Sequence, residues 1–220
     1  MLSKGEGMET FYKIARPDGW DFYTGKTINY RDNIGKTVRR AKQGRVKLCS
    51  ETTIHALRDP NQCFIGGQLP CSLYLVSGKP YAEDEDKCGF KQLKIIKELQ
   101  PEKVFKWRYK EACNPVNPLN IKPPQKITEK HVRLLKQWAS VWDSVRALIW
   151  DSVWDSVGAY MGWIFAPAVK QWKHVNHKPG EYPFQAAVDL WMMGLVPSYD
   201  GKAWRLHGGK NAKILWEGKL

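Results

Sequence analysis

A chain of 220 residues is long enough to bury a core as one large domain or two small ones. Its 35 lysines and arginines against 22 acids leave a net charge of +13, which favours polyanionic partners and says nothing of fold. Five cysteines (Cys49, Cys63, Cys71, Cys88, Cys113) are odd in number and lack a C-x-x-C pair, and the stretch from Met1 to Glu9 is polar, without an apolar targeting core; free thiols in a cytoplasmic compartment are expected, not a secreted disulfide framework.

In chain order, short strands with turn punctuation come first. Phe11–Ala15 reads as a strand, Pro17-Asp-Gly19 as a turn, and Trp20–Tyr23 as a second strand paired with the first. Val46–Cys49, Thr53–Ala56 and Cys71–Val76 follow as strands, the last ended by Ser77-Gly78. Glu83–Asp86 is an acidic loop, and Phe90–Leu99 another strand. Pro101 opens a short helix through Tyr109, because proline suits a first helical turn. Four prolines between Asn114 and Gln125 mark an extended linker.

Beyond the linker the sequence repeats itself: Trp138-Ala-Ser-Val141, Trp142-Asp-Ser-Val145, the degenerate Arg146-Ala-Leu-Ile149, Trp150-Asp-Ser-Val153 and Trp154-Asp-Ser-Val157. A four-residue period advances about 400° around an α-helix, so each copy lands about 40° past the last and the Trp and Val columns form a slowly winding ridge. On a strand the same period would mix Trp with Ser and Asp with Val on the two faces. One helix over 128–157 is therefore expected, capped by Thr128 and kinked or ended by Gly158, Gly162 and Pro167. Trp138, Trp142, Trp150 and Trp154 should serve core packing or an interface between copies of the chain, with the aspartates of the repeat facing water. Val153–Val169 is mostly apolar but is at the short limit for a membrane span, is broken by Gly and Pro, and carries Asp155, so no membrane crossing is expected. Pro183–Met193 reads as a helix with Gly194 at its C′ position, and Ala203–His207 with Ala212–Trp216 as a hairpin. The sum is an α+β protein: a mixed-β domain over 9–112, a Pro-rich linker over 113–127, and a module over 128–220 in which the Trp helix packs with a helix plus hairpin.

The chemistry-bearing motifs are few. Lys36, Arg39, Arg40, Lys42, Arg45 and Lys47 place six cations between Gly35 and Leu48 with no acid among them, as a phosphate-neutralising cluster or a solvated basic face would. Gly35-Lys-Thr37 is not a phosphate loop, since the required upstream glycine falls at Tyr30. His174 and His177 do not make a zinc site by themselves, and His131 and His207 belong to no constellation, so neither metal nor cofactor is expected.

Two resemblances bear on residues 9–100. Phe11–Gly25, Leu48-Cys-Ser50, Ile54-His-Ala56, Pro70-Cys71, Val76-Ser-Gly78 and Phe90–Leu99 together resemble a domain family of phage and environmental bacterial proteins to which no activity is attached. Ile54-His-Ala56, Gly66-Gly67 and Pro70 with its following strand are similar to the core of RNA 2′-phosphotransferases and related ADP-ribosyl-transfer folds. That resemblance implies a pocket for a nicotinamide dinucleotide touched by His55, although no matching arginine set accompanies it. The leading expectation is a non-catalytic cytoplasmic binding protein that engages nucleic acid or a nucleoprotein through the 36–47 segment. The alternatives are an ADP-ribosyl-transfer enzyme acting at His55 and an assembly protein that oligomerises through the Trp helix.

Overall fold

The computed structural model describes residues 9–45, 47–48, 50–62, 67–85, 87–145, 152–169, 172 and 175–220, with the backbone alone at 143–145 and 152–154. The chain is α+β, as expected, and divides into two compact units, 1–109 and 110–220.

The first unit carries β1 (Thr10–Ala15), β2 (Thr37–Arg39), β3 (Ile54–Ala56), β4 (Ser72–Ser77), β5 (Ala82–Glu83), β6 (Cys88–Phe90), β7 (Gln92–Leu99) and the one-turn helix α1 (Pro101–Val104). A second short helix, α2 (Tyr109–Cys113), starts at the division, so of the single helix expected over 101–109 only the first turn forms and helix resumes at its last residue. Four strands form an antiparallel sheet in the order β1-β4-β7-β2, and three form a second sheet in the order β3-β6-β5. One core serves both sheets: Phe11, Tyr74, Val76, Leu93, Ile95 and Val38 of the first meet Ile54, Ala56, Cys88 and Phe90 of the second. Alternation makes this possible, since Phe11, Val76 and Ile95 stand in register across three strands and so share a face.

The hairpin expected from Trp20–Tyr23 is absent. β1 pairs instead with β4, over the register Phe11↔Val76 to Ala15↔Ser72. Trp20 keeps a single bridge to Asn29. The cause is local: the Asp21 carboxylate collects the backbone N–H groups of Thr24 and Thr27, and such side-chain to backbone bonds compete with a strand ladder. Lys47 and Leu48 are not in a strand, and Val46 and Cys49 of that expected strand lie outside the described residues.

The second unit holds α3 (Glu129–Val145), α4 (Ser152–Phe165), α5 (Gln185–Met192), β8 (Leu195–Tyr199), β9 (Trp204–Gly208) and β10 (Lys213–Gly218). Its sheet is antiparallel in the order β10-β9-β8. The Pro-rich stretch belongs to this unit and is not a free spacer: Pro118 is buried, the Val116 N–H donates to Tyr160 Oη, and Trp191 Nε1 donates to the Val116 carbonyl. At the end of α5 the N–H of Gly194 bonds the Trp191 carbonyl with Gly194 at φ +72°, the left-handed conformation its sequence position anticipates.

The repeat is where sequence and structure part. Trp138 and Trp142 of α3 are buried with Leu135, Leu190, Leu195, Trp204 and Leu206, and Trp142 lies edge-on to Trp204 at 5.3 Å between ring centroids. Trp150 lies outside the described residues, as does the side chain of Trp154. Asp155, expected in water, is buried and accepts a hydrogen bond from Trp142 Nε1. Thirteen residues along one straight helix would hold those groups about 20 Å apart, so α3 and α4 are not one rod over 128–157. Nor do Gly158 and Gly162 stop α4, which runs through both. A helical glycine costs about 1 kcal/mol, and at Gly162 a Cβ would come 2.5 Å from Tyr182 Oη, which donates to the Ala159 carbonyl.

The burial of this indole gives a stability prediction. Trp142→Ala should cost about 3–5 kcal/mol, the range for truncating a large buried aromatic. Trp142→Phe keeps most of the ring but deprives the buried carboxylate of a donor, and should cost about 1–3 kcal/mol. Met161→Ala, at a side chain 40% exposed, should cost less than about 0.5 kcal/mol. Urea denaturation ranks the three; equal small losses would place Trp142 outside the core.

Candidate functional site

The site grows from the loop that joins β1 to β2. Its first turn closes with Gly19 N–H on the Arg16 carbonyl and Arg16 N–H on the Trp20 carbonyl, with Gly19 at φ +89°. A Cβ there would meet Asn29 Oδ1 at 2.7 Å, so this corner accepts glycine alone without rearrangement. Asp21 then gathers the next turn: its carboxylate accepts from Thr24 N at 2.8 Å, Thr24 Oγ1 at 2.9 Å, Thr27 N at 3.1 Å and Thr27 Oγ1 at 2.6 Å. Burial alone would raise this carboxyl, but the bonds from Thr27 and Thr24 outweigh it and hold it well below the usual aspartate range. Asn29 Oδ1 accepts the N–H groups of Arg31 and Asp32 and turns the chain again, while Tyr30 goes into the core. Arg31 pins the far end, with two bonds to the Glu98 carboxylate at 2.8 and 3.1 Å, one to the Pro17 carbonyl and one to Ser72 Oγ.

From this loop the chain enters β2, an edge strand whose register on β7 sets Thr37 opposite Lys94, buried Val38 opposite Leu93, and Arg39 opposite Gln92. The six expected cations now separate into two groups. Arg40 is structural: its guanidinium bonds the carbonyls of Gly44 and Thr52 and the Gln43 side chain, which ties the following loop together. Lys42 is ion-paired with Glu51. Lys36, Arg39, Arg45 and Lys47 are exposed, and none of the four is ion-paired among the described residues. The backbone beneath two of them is nonetheless held, because the Arg45 carbonyl accepts Thr52 Oγ1 and the Lys47 carbonyl accepts Ser50 Oγ and Thr53 Oγ1. Lys94, exposed on β7, joins the group through its register with Thr37.

Two open surface depressions lie at β2. One, of about 480 Å³, is lined by Gly35, Ser77, Lys94, Ile95 and Ile96. The other, of about 410 Å³, is lined by Trp20, Lys26, Asn29, Asp32, Asn33 and Arg39 together with Thr27 and Ile28 of the loop and Thr37 and Val38 of β2. Trp20, Lys26 and Lys94 escaped the sequence reading because only the fold brings them to the basic run; the strand alternation of Gln92-Leu-Lys-Ile95 was the one available hint, and it concerned Lys94.

His55 is half-buried in β3, opposite Gly89 of β6. Burial first, then the cations Lys13 and Lys87, push its pKa down to about 4, against a smaller opposing effect of Asp84. It is therefore a neutral imidazole at pH 7. Among the other histidines, His131 Nδ1 accepts the Thr128 N–H at the start of α3, and His207 Nε2 lies 2.8 Å from Ser198 Oγ. His177 Nε2 accepts the Trp172 N–H, and His174 lies outside the described residues. Among the described residues no group of three or more His, Cys, Asp or Glu side chains could hold a metal, and no helix is long and apolar enough to cross a membrane. Cys71, Cys88 and Cys113 form no disulfide among the described residues, and Cys49 and Cys63 lie outside them.

Compared with protein-family models, curated proteins and solved structures, the chain matches none.

The depressed His55 makes stability pH-dependent with a definite sign. Its folded pKa of about 4 lies below the 6.5 of the unfolded state, so the unfolded chain takes up the proton first and stability falls as pH drops from about 6.5 towards 4. Denaturation midpoints measured across that window should show a shallower decline for His55→Gln than for the unchanged chain. An identical decline would mean that His55 titrates as an ordinary exposed histidine.

Proposed function

We propose that this protein is a non-catalytic binding protein that engages nucleic acid, free or within a nucleoprotein, through the face of its first unit around β2. The observation that carries the reading is the set of exposed cations with no acidic partner among the described residues, Lys36, Arg39, Arg45 and Lys47, just before, on and after an edge strand in a chain of net charge +13. Lys94 and Lys26 extend the same positive surface. Such groups neutralise phosphates and release condensed counterions, and this supplies most of the affinity for a polyanion. A solvated basic face with no partner is the competing reading, and binding experiments separate the two.

Affinity for a mixed-sequence oligonucleotide should fall steeply between 50 and 200 mM salt. Arg39→Ser with Arg45→Ser should reduce the slope of log K against log salt by about 1.4 to 1.8, the loss of two phosphate contacts. Lys42→Ser should leave the slope nearly unchanged, because that ammonium is already paired with Glu51. No binding at 50 mM salt, or equal slopes for the double variant and the unchanged chain, would overturn the proposal.

A further inference from the structure

The depression at the start of β2 sorts its lining residues into two kinds. Asn29 and Asn33 are scaffold: Asn29 Oδ1 accepts two backbone N–H groups and Asn33 Nδ2 donates to the Asn29 carbonyl at 2.7 Å. Thr27, also at the rim, is held by Asp21. Trp20, Lys26, Asp32 and Arg39 are the other kind, since the ring, the two cationic heads and the carboxylate have no side-chain hydrogen bond or ion pair among the described residues. The first unit has two tryptophans, and they are treated differently. Trp107 is buried and stacked at 4.5 Å on Phe105, whereas Trp20 is only partly buried and lines a polar depression. A large aromatic ring kept at the surface beside two cations, on a loop fixed by Asp21, Asn29 and Arg31, offers a flat apolar face with phosphate-binding groups next to it.

We propose that this depression is a nucleotide subsite, in which Trp20 stacks one unpaired base of a single strand while Lys26 and Arg39 hold an adjoining phosphate. The inference rests on the nucleic-acid reading above and narrows it to single strands. A duplex keeps its bases stacked on one another, so it meets the same cations but leaves the indole face unused. The volume of about 410 Å³ lies within the range of small-ligand pockets, room enough for one nucleotide. Asp32 adds a second preference: its carboxylate repels phosphate and accepts from amino groups on a base edge, so a base and not a phosphate is favoured next to it.

The test compares a labelled 12-nucleotide single strand, as DNA and as RNA, with the DNA duplex of the same sequence, by fluorescence anisotropy at 50 mM salt. Trp20→Leu, which keeps apolar volume but removes the π face, should weaken single-strand binding at least about fivefold and change duplex binding less than twofold. Trp20→Phe should recover most of the single-strand affinity. A melting temperature within a few degrees of the unchanged chain establishes that each variant is folded, and if Trp20→Leu fails this check the Trp20→Phe and Lys26→Ser variants carry the comparison. Single-strand affinity unaltered by Trp20→Leu, with Arg39→Ser still weakening both ligands, would remove the subsite and leave the nucleic-acid reading standing. No binding of any of the three nucleic acids would remove both.

Discussion

The structure of the candidate site depends on one buried carboxylate. Asp21 follows a tight turn in a stretch whose aromatic residues would otherwise extend as a strand, and it accepts hydrogen bonds from the backbone and side chains of Thr24 and Thr27. Removing a carboxylate from water is costly unless donors replace the water, and here four of them do. The consequence is geometric. The chain curls between Trp20 and Asn29, Tyr30 drops into the core, and Arg31 fastens the loop to Glu98 at the far end of β7. The Trp20 ring, Lys26 and Arg39, which are distant in sequence, thereby come to line one depression.

The second unit uses the same device for a different end. Asp155 is buried at the start of α4, where a negative charge is favoured by the helix dipole, and it accepts from the indole of Trp142. Trp142 in turn meets Trp204 and Tyr199 in the aromatic core between helices and sheet. One buried acid thus shapes a loop that carries exposed functional groups, and the other locks a core. The tryptophans divide in parallel, since Trp138 and Trp142 are buried in the core of the second unit while Trp20 is only partly buried.

What could be read from the sequence follows from how local each signal is. β1, β3 and β4 announce themselves by alternation between turn residues, α5 by its periodicity and Gly194, and the β9–β10 hairpin by Gly208-Gly209. β8 was missed because Pro197 argues against a strand; it is tolerated because β8 lies at the edge of its sheet, where a missing N–H need not break a ladder. β2 is three residues long and carries no readable alternation, so the basic run around it looked like one uniform patch. Only its neighbours show that Arg40 and Lys42 are occupied and that Lys36 touches the Asp32 carbonyl, while Arg39, Arg45 and Lys47 have no side-chain partner among the described residues. The repeat misled in a similar way. Its identical copies suggest identical environments, but Asp155 meets Trp142 across the fold, an encounter that a four-residue period does not encode.

The most direct test of the central claim is the titration of the Asp21 carboxyl carbon, followed by NMR in a chain labelled at aspartate. The account expects this carbon to remain that of an ionised carboxylate through the pH range in which exposed aspartates take up their protons, near 3.9 in model peptides. A midpoint close to that ordinary value would contradict it, because an Asp21 that protonates like a free side chain cannot be the group that holds the 20–29 loop in place.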